Sequence, residues 1–327
     1  MSPSTTKIIN ENTNHTIIPS PTDTGALANR INFNTREQHN KIDKTMSLKF
    51  AMAMKHGFIY RQGLLAFYFV FKAIEEEIQR LMSDNSSNNL TGEILRGFWM
   101  DEFYRTGNLY NDLCFFYSKE FPTKQTFDKF LKEQSSQLPS KQQDFIDYIH
   151  EMTLLKPWVI LAYCHVEYLA LFAGGRVMRS TLYKNSGLFP SIGHLSKEEI
   201  SKKGTKFFTF SEDGVVAENK LRMEYRKNFE IQTRNKLSEQ QKLDIIEVAG
   251  KIFDWNASIV NELGQINRDE LMNKFSFRLI TFIFEELKAS KFFTIKTKNV
   301  SQKKLFLVFI LALLQILITI GFFKMYF

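Results

Sequence analysis

YCHVEYLALFAGGRVM, residues 163–178, is the stretch of the chain from which its organisation is easiest to understand. Its apolar residues recur with the period of a helix, yet two adjacent glycines, Gly174 and Gly175, lie in its interior. A glycine inside a helix costs about 1 kcal/mol relative to alanine, and such a pair favours a kink. Two interpretations fit the pair: a crossing where two backbones pack closely, or a flat ligand that lies directly on the helix.

Length and composition predict a helical protein with a large core. The chain has 327 residues, enough for one large or two ordinary domains, with 44% hydrophobic residues and 32 Phe. Only 7 prolines occur, and none lies between Pro21 and Pro122, which suits long helices. Because no sustained alternation of polar and apolar residues appears, we expect an all-α soluble part.

Charge and cysteine content limit the partners and the compartment. A net charge of +8 favours anionic membranes, acidic proteins or anionic ligands. Zinc-ligand spacing and a basic heptad region are both missing, so we expect no nucleic-acid partner. Two cysteines, Cys114 and Cys164, are too few for a disulfide framework and fit a reducing compartment.

Taken in order, the chain begins with a polar stretch, residues 1–22, that we expect to be a disordered cytosolic tail. Asp23 or Thr24 is expected to cap the first helix. The acidic residues 75–77 are expected to form a solvated face, with the charge of Arg80 beside them. The KFFTF stretch at 206–210 is expected to be a short extended connector. Helical periodicity covers residues 58–82, about 92–117, 123–133, 139–155, 163–178, 217–237, 239–267 and 269–290.

The C-terminus differs from the rest of the chain. Residues 305–323, LFLVFILALLQILITIGFF, carry no charge and are long enough to cross a bilayer. A buried core helix is the alternative, but Lys303, Lys304 and Lys324 flank the stretch, which favours a tail anchor with a cytosolic soluble domain. We therefore expect a helical domain at 23–268, a juxtamembrane segment at 269–302 and the anchor at 303–325.

Motifs for hydrolysis and for non-haem metals are missing from the sequence. None of the six histidines forms a His-x-x-x-His pair, and Glu-x-x-His, Gly-x-Ser-x-Gly and phosphate-loop motifs do not occur. His39 lies on the first predicted helix with Asn32, Thr35 and Arg36 on the same side. A helical histidine is usually a surface or core residue, although one neutral imidazole is a sufficient ligand for haem iron.

An ordered set of stretches resembles the haem oxygenase family, most closely its membrane-anchored yeast type. They cover about residues 25–267, followed by the anchor, and read TREQHNKIDK, AFYFVFKAIEEEIQRLM, AYCHVEYLALFAGGRVM, GTKFFTF, RMEYRKN and EVAGKIFDWNASIVNEL. The resemblance implies a single-domain helical fold in which haem lies between two helices. It places His39 at the proximal iron ligand, and Gly174 and Gly175 in the distal helix over the haem.

The resemblance also implies binding residues around the haem. Arg36, Arg222 and Arg226 fall at or near positions that pair with the haem propionates, for which arginine offers bidentate hydrogen bonds. Phe253 falls at an apolar pocket position and Asn256 at a polar one. Solvated charge is the alternative for the arginines, and core packing explains Phe253 equally well.

The family reaction opens haem to biliverdin, carbon monoxide and ferrous iron, for haem degradation and iron recovery. It uses O2 and electrons that NADPH supplies through a membrane-bound cytochrome reductase. By resemblance we expect the chain to be anchored in the endoplasmic reticulum membrane with its catalytic domain in the cytosol. A basic face would steer an acidic reductase to the haem edge.

The distal helix departs from the family pattern. Many members carry an aspartate, which holds a proton-supplying water, where this chain has Leu171. Ala170 replaces a glycine, Glu167 an arginine and Phe71 a tyrosine. Because residues 167, 171, 174 and 175 share a helical face, Glu167 could hold the distal water instead. The alternative is that Glu167 is solvated or paired with a cation.

Three hypotheses follow for the function. The first is a tail-anchored haem oxygenase. The second is a haem-binding sensor, buffer or peroxidase-like protein that has lost ring opening, which Leu171 favours. The third is a membrane-tethered helical interaction module that binds no haem.

Overall fold

The computed structural model describes residues 19–20, 22–40, 57–184, 186–190, 193, 195–275, 277–278 and 281–282, and every regular element within them is helical. This confirms the all-α prediction for the described residues. The chain divides into two compact units, Met1–Asn267 and Arg268–Phe327. The α-helices are α1 (Leu27–Asn34), α2 (Gly57–Ser83), α3 (Leu90–Arg96), α4 (Thr106–Phe116), α5 (Lys124–Ser135), α6 (Ser140–Leu155), α7 (Ile160–Lys184), α8 (Lys197–Lys203), α9 (Val215–Arg234), α10 (Glu239–Ile266) and α11 (Arg268–Met272).

Short 3-10 turns and side-chain caps connect these helices. Capping boxes start three of them, where Thr123, Ser196 and Ser238 each accept a hydrogen bond from the backbone three residues later. The 3-10 turns are Asp101–Phe103, Pro157–Val159, Ser186–Leu188 and Lys206–Phe208. After Thr35, residues 36–40 are helical again, so His39 lies one turn beyond α1.

The predicted cap of the first helix is wrong. α1 begins after Ala26, which has no side chain that could accept a hydrogen bond from the helix. The Asp23 carboxylate instead accepts from the Gly25 backbone at 3.0 Å and pairs with Arg234 at 2.5 Å. Asp23 therefore ties the start of the first helix to α9.

α7 is the central helix of the first unit. It packs against α10, α2 and the Lys206–Phe208 turn. Among the described residues, one helical stretch, Pro157–Lys184, is long and apolar enough to cross a membrane, but 67% of its apolar window is buried inside the protein. Because neighbouring helices bury this stretch, its apolar composition is that of a core helix.

The acidic residues 75–77 do not form a solvated face, which corrects the prediction. Glu75 is 5% exposed and Glu77 is 7% exposed, whereas Glu76 points to solvent. Glu75 accepts hydrogen bonds from the backbone N–H groups of Arg105 at 2.5 Å and Thr106 at 3.1 Å, and from the Tyr168 hydroxyl at 3.0 Å. A carboxylate on α2 thus satisfies the first N–H groups of α4 and fastens α7.

Glu77 is held by two basic side chains. Arg80 donates to one of its oxygens, as the sequence predicted, and His150 on α6 lies 2.7 Å from the other. Because His150 belongs to α6, Glu77 joins α2 to α6.

The connector at 206–210 is not extended, because Lys206–Phe208 forms a 3-10 turn. The Asp112 carboxylate on α4 accepts hydrogen bonds from the backbone of Lys206 at 2.9 Å and Phe207 at 2.8 Å. Burial raises the pKa of Asp112 to about 7, despite these hydrogen bonds. The buried carboxyl therefore supplies the hydrogen-bond partners that bend the segment into a turn.

The predicted C-terminal segments fall mostly outside the described residues. α11 ends at Met272, and beyond it only 273–275, 277–278 and 281–282 are described. The expected anchor at 303–325, most of the juxtamembrane segment and most of the tail at 1–22 therefore stay predictions, as do the domain boundaries.

Replacing Glu75 by alanine is expected to lower the free energy of unfolding by roughly 3 kcal/mol, because three donors lose a buried charged acceptor. The matched control is Glu76→Ala, which removes an exposed pair with Lys72 and should change stability by less than about 0.5 kcal/mol. Urea denaturation of the full-length variants measures both. Equal stability of the two variants would contradict this account of Glu75.

Candidate functional site

The two glycines of α7 have different surroundings. A Cβ atom added to Gly175 would lie 2.9 Å from the backbone oxygen of Phe208, whereas one added to Gly174 would meet no described atom within 4 Å. Gly175 is thus required for close backbone packing, and Gly174 keeps one side of the helix open. The close backbone crossing expected from the sequence is therefore confirmed at Gly175, and a flat ligand on the helix stays a prediction for Gly174. α7 runs as one helix through both of them.

An ion pair fastens the turn that Gly175 contacts. Arg179 on α7 donates to the Phe208 carbonyl and forms a bidentate pair with Glu218 on α9, at 2.7 and 2.6 Å. Glu218 in turn accepts from the Phe210 backbone at 3.0 Å. This network holds the turn, α7 and α9 together beside the glycine pair.

α10 joins the two helices that the sequence analysis placed around the site. The His39 ring meets the Phe253 ring edge-on, with centroids 5.8 Å apart. One turn further along α10, the side-chain amide of Asn256 donates to Glu167 on α7 at 2.7 Å. Because residues three apart share a helix face, a single face of α10 contacts both the His39 segment and α7.

Glu167 is buried and is not paired with a cation among the described residues, so the alternative of a solvated or paired carboxylate is wrong. It is 7% exposed, and its hydrogen-bond partner is the neutral amide of Asn256. Burial raises the pKa of Glu167 to about 7, while the Asn256 hydrogen bond acts in the opposite direction. The carboxyl is therefore divided between its acid and its carboxylate near neutral pH.

His165 was missed as a site residue by reasoning from the sequence. Its Nε2 lies 3.0 Å from the Asn32 side-chain oxygen on α1, so this pair joins α1 directly to α7. Burial, and secondarily the charge of Arg226, lowers the pKa of His165 to about 4, so the ring is neutral. A polar histidine inside an apolar helix was the available signal, but the sequence did not identify its partner 133 residues away.

Arginines from α7 and α9 lie near one another. Arg222 and Arg226 are one turn apart on α9, and Arg176 on α7 donates to Asn219 at 2.9 Å. Burial, followed by the charges of Arg226 and Arg176, lowers the pKa of Arg222. The Arg222 Nε atom is buried and has no hydrogen-bond partner among the described residues. Three neighbouring cations with an unused donor suit an anionic ligand.

A small surface pocket connects these groups. It is lined by side chains from α7, α9 and the turn between them: Leu171, Phe172, Arg176, Phe208, Phe210, Glu218, Asn219 and Arg222. The pocket includes Leu171, on the face of α7 that carries Gly174. Arg36 is exposed, three residues before His39, and no described contact brings it to the arginines of α9.

The open side at Gly174 and the unused Nε of Arg222 suit a flat, anionic molecule better than a bare metal ion. Groups of three or more His, Cys, Asp or Glu side chains that could hold a metal are not found in the described ranges. One histidine, an open glycine surface and neighbouring cations are what a haem with two propionates requires.

The comparisons with known proteins agree with this geometry. The sequence model of the family described as "Heme oxygenase" matches residues 25–262. The chain belongs to the haem oxygenase family.

Individual relatives support the assignment. The chain is 54% identical over 278 residues to the heme-binding protein HMX1 of Saccharomyces cerevisiae, covering 84% of this chain and 87% of that protein. It is 26% identical over 204 residues to the heme oxygenase of Rhodella violacea, covering 62% and 72%. A solved structure of heme oxygenase-2 from Synechocystis, in complex with heme and NO, has the same fold, with a TM-score of 0.60, 18% identity and coverage of 78% and 92%.

Alanine at Gly175 and at Gly174 should affect stability in opposite directions. Gly175→Ala places a methyl group against the Phe208 carbonyl and is expected to cost about 1–3 kcal/mol of unfolding free energy. Gly174→Ala meets no described atom and should be neutral or stabilising by up to about 1 kcal/mol, because alanine is the better helix former. Urea denaturation of the substrate-free variants checks this, and a Gly174→Ala loss as large as that of Gly175→Ala would refute it.

Glu167 should make stability depend on pH. Its pKa is raised from 4.5 to about 7 in the folded state, so folding favours the acid form. Its stabilising contribution is complete below about pH 4.5 and is lost as the pH rises through about 7. Glu167→Gln should therefore become more stable relative to the native protein as the pH rises, by an amount on the order of 3 kcal/mol at most. Denaturation curves across this range measure the difference, and parallel pH profiles would show that Glu167 does not titrate there.

Proposed function

We propose that this protein is a haem oxygenase, which opens haem to biliverdin, carbon monoxide and ferrous iron. The observation that carries the proposal is the open Gly174 surface on a buried helix, joined through α10 to the single histidine of the His39 segment. Membership of the family, over residues 25–262, supports the same reaction.

His39 is the proposed iron ligand. It is exposed and stands one turn beyond α1, and Phe253 packs against the edge of its ring. An exposed imidazole with an apolar neighbour can turn toward a flat ligand and keep one nitrogen for the iron. Phe253 thus acts as a support for His39 and as an apolar wall for the haem.

Arg222 and Arg226 are proposed to hold the propionates, and Arg36 to contribute from the proximal side. The unused buried Nε of Arg222 is suited to a carboxylate, which would also relieve the repulsion among the cations of α7 and α9. Propionate binding would fix the rotation of the haem in its plane, and so decide which ring edge meets the distal helix.

The distal side is proposed to consist of Gly174 and Gly175. Haem supplies the iron at which O2 is bound and reduced, and the protein contributes position and shielding. Gly174 lets the substrate approach the helix backbone, while Gly175 keeps the helix at a fixed distance from the Phe208 turn. Leu171, which is partly buried, adds an apolar side chain to this face.

We also propose the source of the electrons and the membrane in which the protein is anchored. NADPH would supply electrons through a membrane-bound cytochrome reductase, and residues 303–325 would anchor the chain in the endoplasmic reticulum membrane with the helical domain in the cytosol. Support for the anchor is the uncharged stretch 305–323 with its flanking lysines, which lies outside the described residues. Anchoring both proteins in one membrane would raise their encounter rate.

A second function, haem binding without ring opening, is supported by two observations. Leu171 stands where many family members carry an aspartate, and the yeast relative at 54% identity is named a heme-binding protein. A sensor, a buffer or a peroxidase-like protein would use the same His39 and arginines. The two functions differ only in the product that the bound haem gives.

A haemin titration tests the binding, and a single turnover tests the reaction. Haemin added to the full-length protein should give a Soret shift that His39→Ala abolishes and that the matched control His150→Ala, on α6, retains. NADPH, reductase and O2 should then convert bound haem to biliverdin with release of iron. A Soret shift without biliverdin would favour the second function, and the absence of a His39-dependent shift would overturn both.

A further inference from the structure

We propose that Glu167, positioned by Asn256, stores the proton that is delivered to the substrate face left open by Gly174. This inference rests on the proposed function, since it assumes that haem lies on α7. It assigns to this chain a proton-delivery residue one turn before Leu171.

Glu167 is positioned on the same side of α7 as the open surface. Glu167, Leu171 and Gly174 follow one another at spacings of four and three, so they lie on one face of α7. Seven residues of helix separate Glu167 from Gly174 by about 10 Å along the axis. The carboxyl is therefore near the open surface but not in contact with it. Because each hydrogen bond spans only about 2.8 Å, a short chain of waters is needed to reach the substrate. The first water of this chain has to lie beside the Glu167 carboxyl.

Asn256 supplies the place for that water. Its amide nitrogen donates to Glu167, while its amide oxygen is buried and has no hydrogen-bond partner among the described residues. A buried water needs two or more polar partners. The free oxygen of Asn256 and the acid hydroxyl of Glu167 provide one acceptor and one donor, so the pair can hold a single water between them.

The surroundings of the Glu167 carboxyl favour its protonated form. Burial and the Asn256 hydrogen bond account for the altered pKa of Glu167, and no cation contributes to it. The titratable group that faces it is Tyr163, one turn earlier on α7, whose own pKa burial raises well above its usual value. His165 is neutral. A carboxyl with a pKa raised to about 7 can both hold and release a proton near neutral pH, which suits a general acid.

The proton step is balanced without any further reactant. The O–H bond of the Glu167 carboxyl breaks, and its proton passes to the first water. Each water in the chain gives one of its own protons to the next, and the last water gives one to the open face of the substrate. The resulting carboxylate keeps the hydrogen bond from Asn256, and solvent returns a proton afterwards. The step itself moves no electrons.

Glu167→Gln is the decisive variant, because glutamine keeps the shape and the acceptor for Asn256 but has no acid proton. Its matched control is Glu77→Gln, since Glu77 is also 7% exposed but lies on α2 against Arg80 and His150. In the full-length protein with haemin, reductase, NADPH and O2, Glu167→Gln should lower the single-turnover rate about 100-fold or more. Haemin affinity should be unchanged, and Glu77→Gln should match the native rate.

Two readouts do not depend on turnover. Infrared difference spectra of the substrate-free protein between about pH 5.5 and about pH 8.5 should show a protonated-carboxyl band. Asp112, whose pKa burial also raises to about 7, contributes to this band in every variant. The part of the band that comes from Glu167 should be absent in Glu167→Gln and retained in Glu77→Gln. Asn256→Ala should move the titration of that band to higher pH, because the Asn256 hydrogen bond favours the carboxylate. A purely structural contact between the two residues would not produce that shift.

The outcomes separate this inference from the proposed function. A native rate and an unchanged pH profile in Glu167→Gln would overturn the role of Glu167 while ring opening stands. If the native protein binds haemin but forms no biliverdin, the proposed ring-opening activity is wrong. The role of Glu167 is then tested by a pH titration of the absorption spectrum of bound haemin. A transition near pH 7 that Glu167→Gln loses or shifts by about one unit supports it, and identical titrations overturn it.

Discussion

The backbone contact between Gly175 and Phe208 is the constraint on which the rest of the site depends. At this contact α7 presents no side chain, and the Phe208 carbonyl comes within 2.9 Å of where a Cβ would lie. The contact fixes the rotation of α7 about its own axis. Gly174, about 100° away around the helix, is thereby directed to the open side. The open surface at Gly174 therefore follows from the packing of the neighbouring residue.

Buried charges hold that contact in place. Asp112 accepts the N–H groups at the start of the Lys206–Phe208 turn, and Arg105 donates to the carbonyls of Phe207 at 3.4 Å and Thr209 at 2.7 Å. Arg105 is 2% exposed, and burial lowers its pKa to about 10. Charges with such burial are tolerated when hydrogen bonds satisfy them, so the turn and its two charged partners are stable only together.

Periodicity in the sequence predicted the long helices well, because apolar spacing reports which face is buried. It also placed the glycine pair inside a helix, whereas the role of His39 was predicted from the family resemblance and not from spacing. It failed where a side chain serves a distant backbone group: Glu75 looks like one residue of a solvated acidic run, yet it caps α4, 30 residues away. The Glu167–Asn256 hydrogen bond spans 89 residues, and the His165–Asn32 pair spans 133. Such pairings depend on how helices cross, which local patterns do not encode.

The position of the carboxyl on α7 has an electrostatic reason. Leu171 lines a pocket with Arg176 and Arg222, so an acidic side chain at that position would be beside two cations. Those cations would lower its pKa and hold it as a carboxylate, and it would compete with an anionic ligand for Arg222. Glu167, one turn earlier, is buried with a neutral amide for a partner, and its pKa is raised. An apolar residue at 171 thus separates the cations that bind an anion from the carboxyl that can keep a proton.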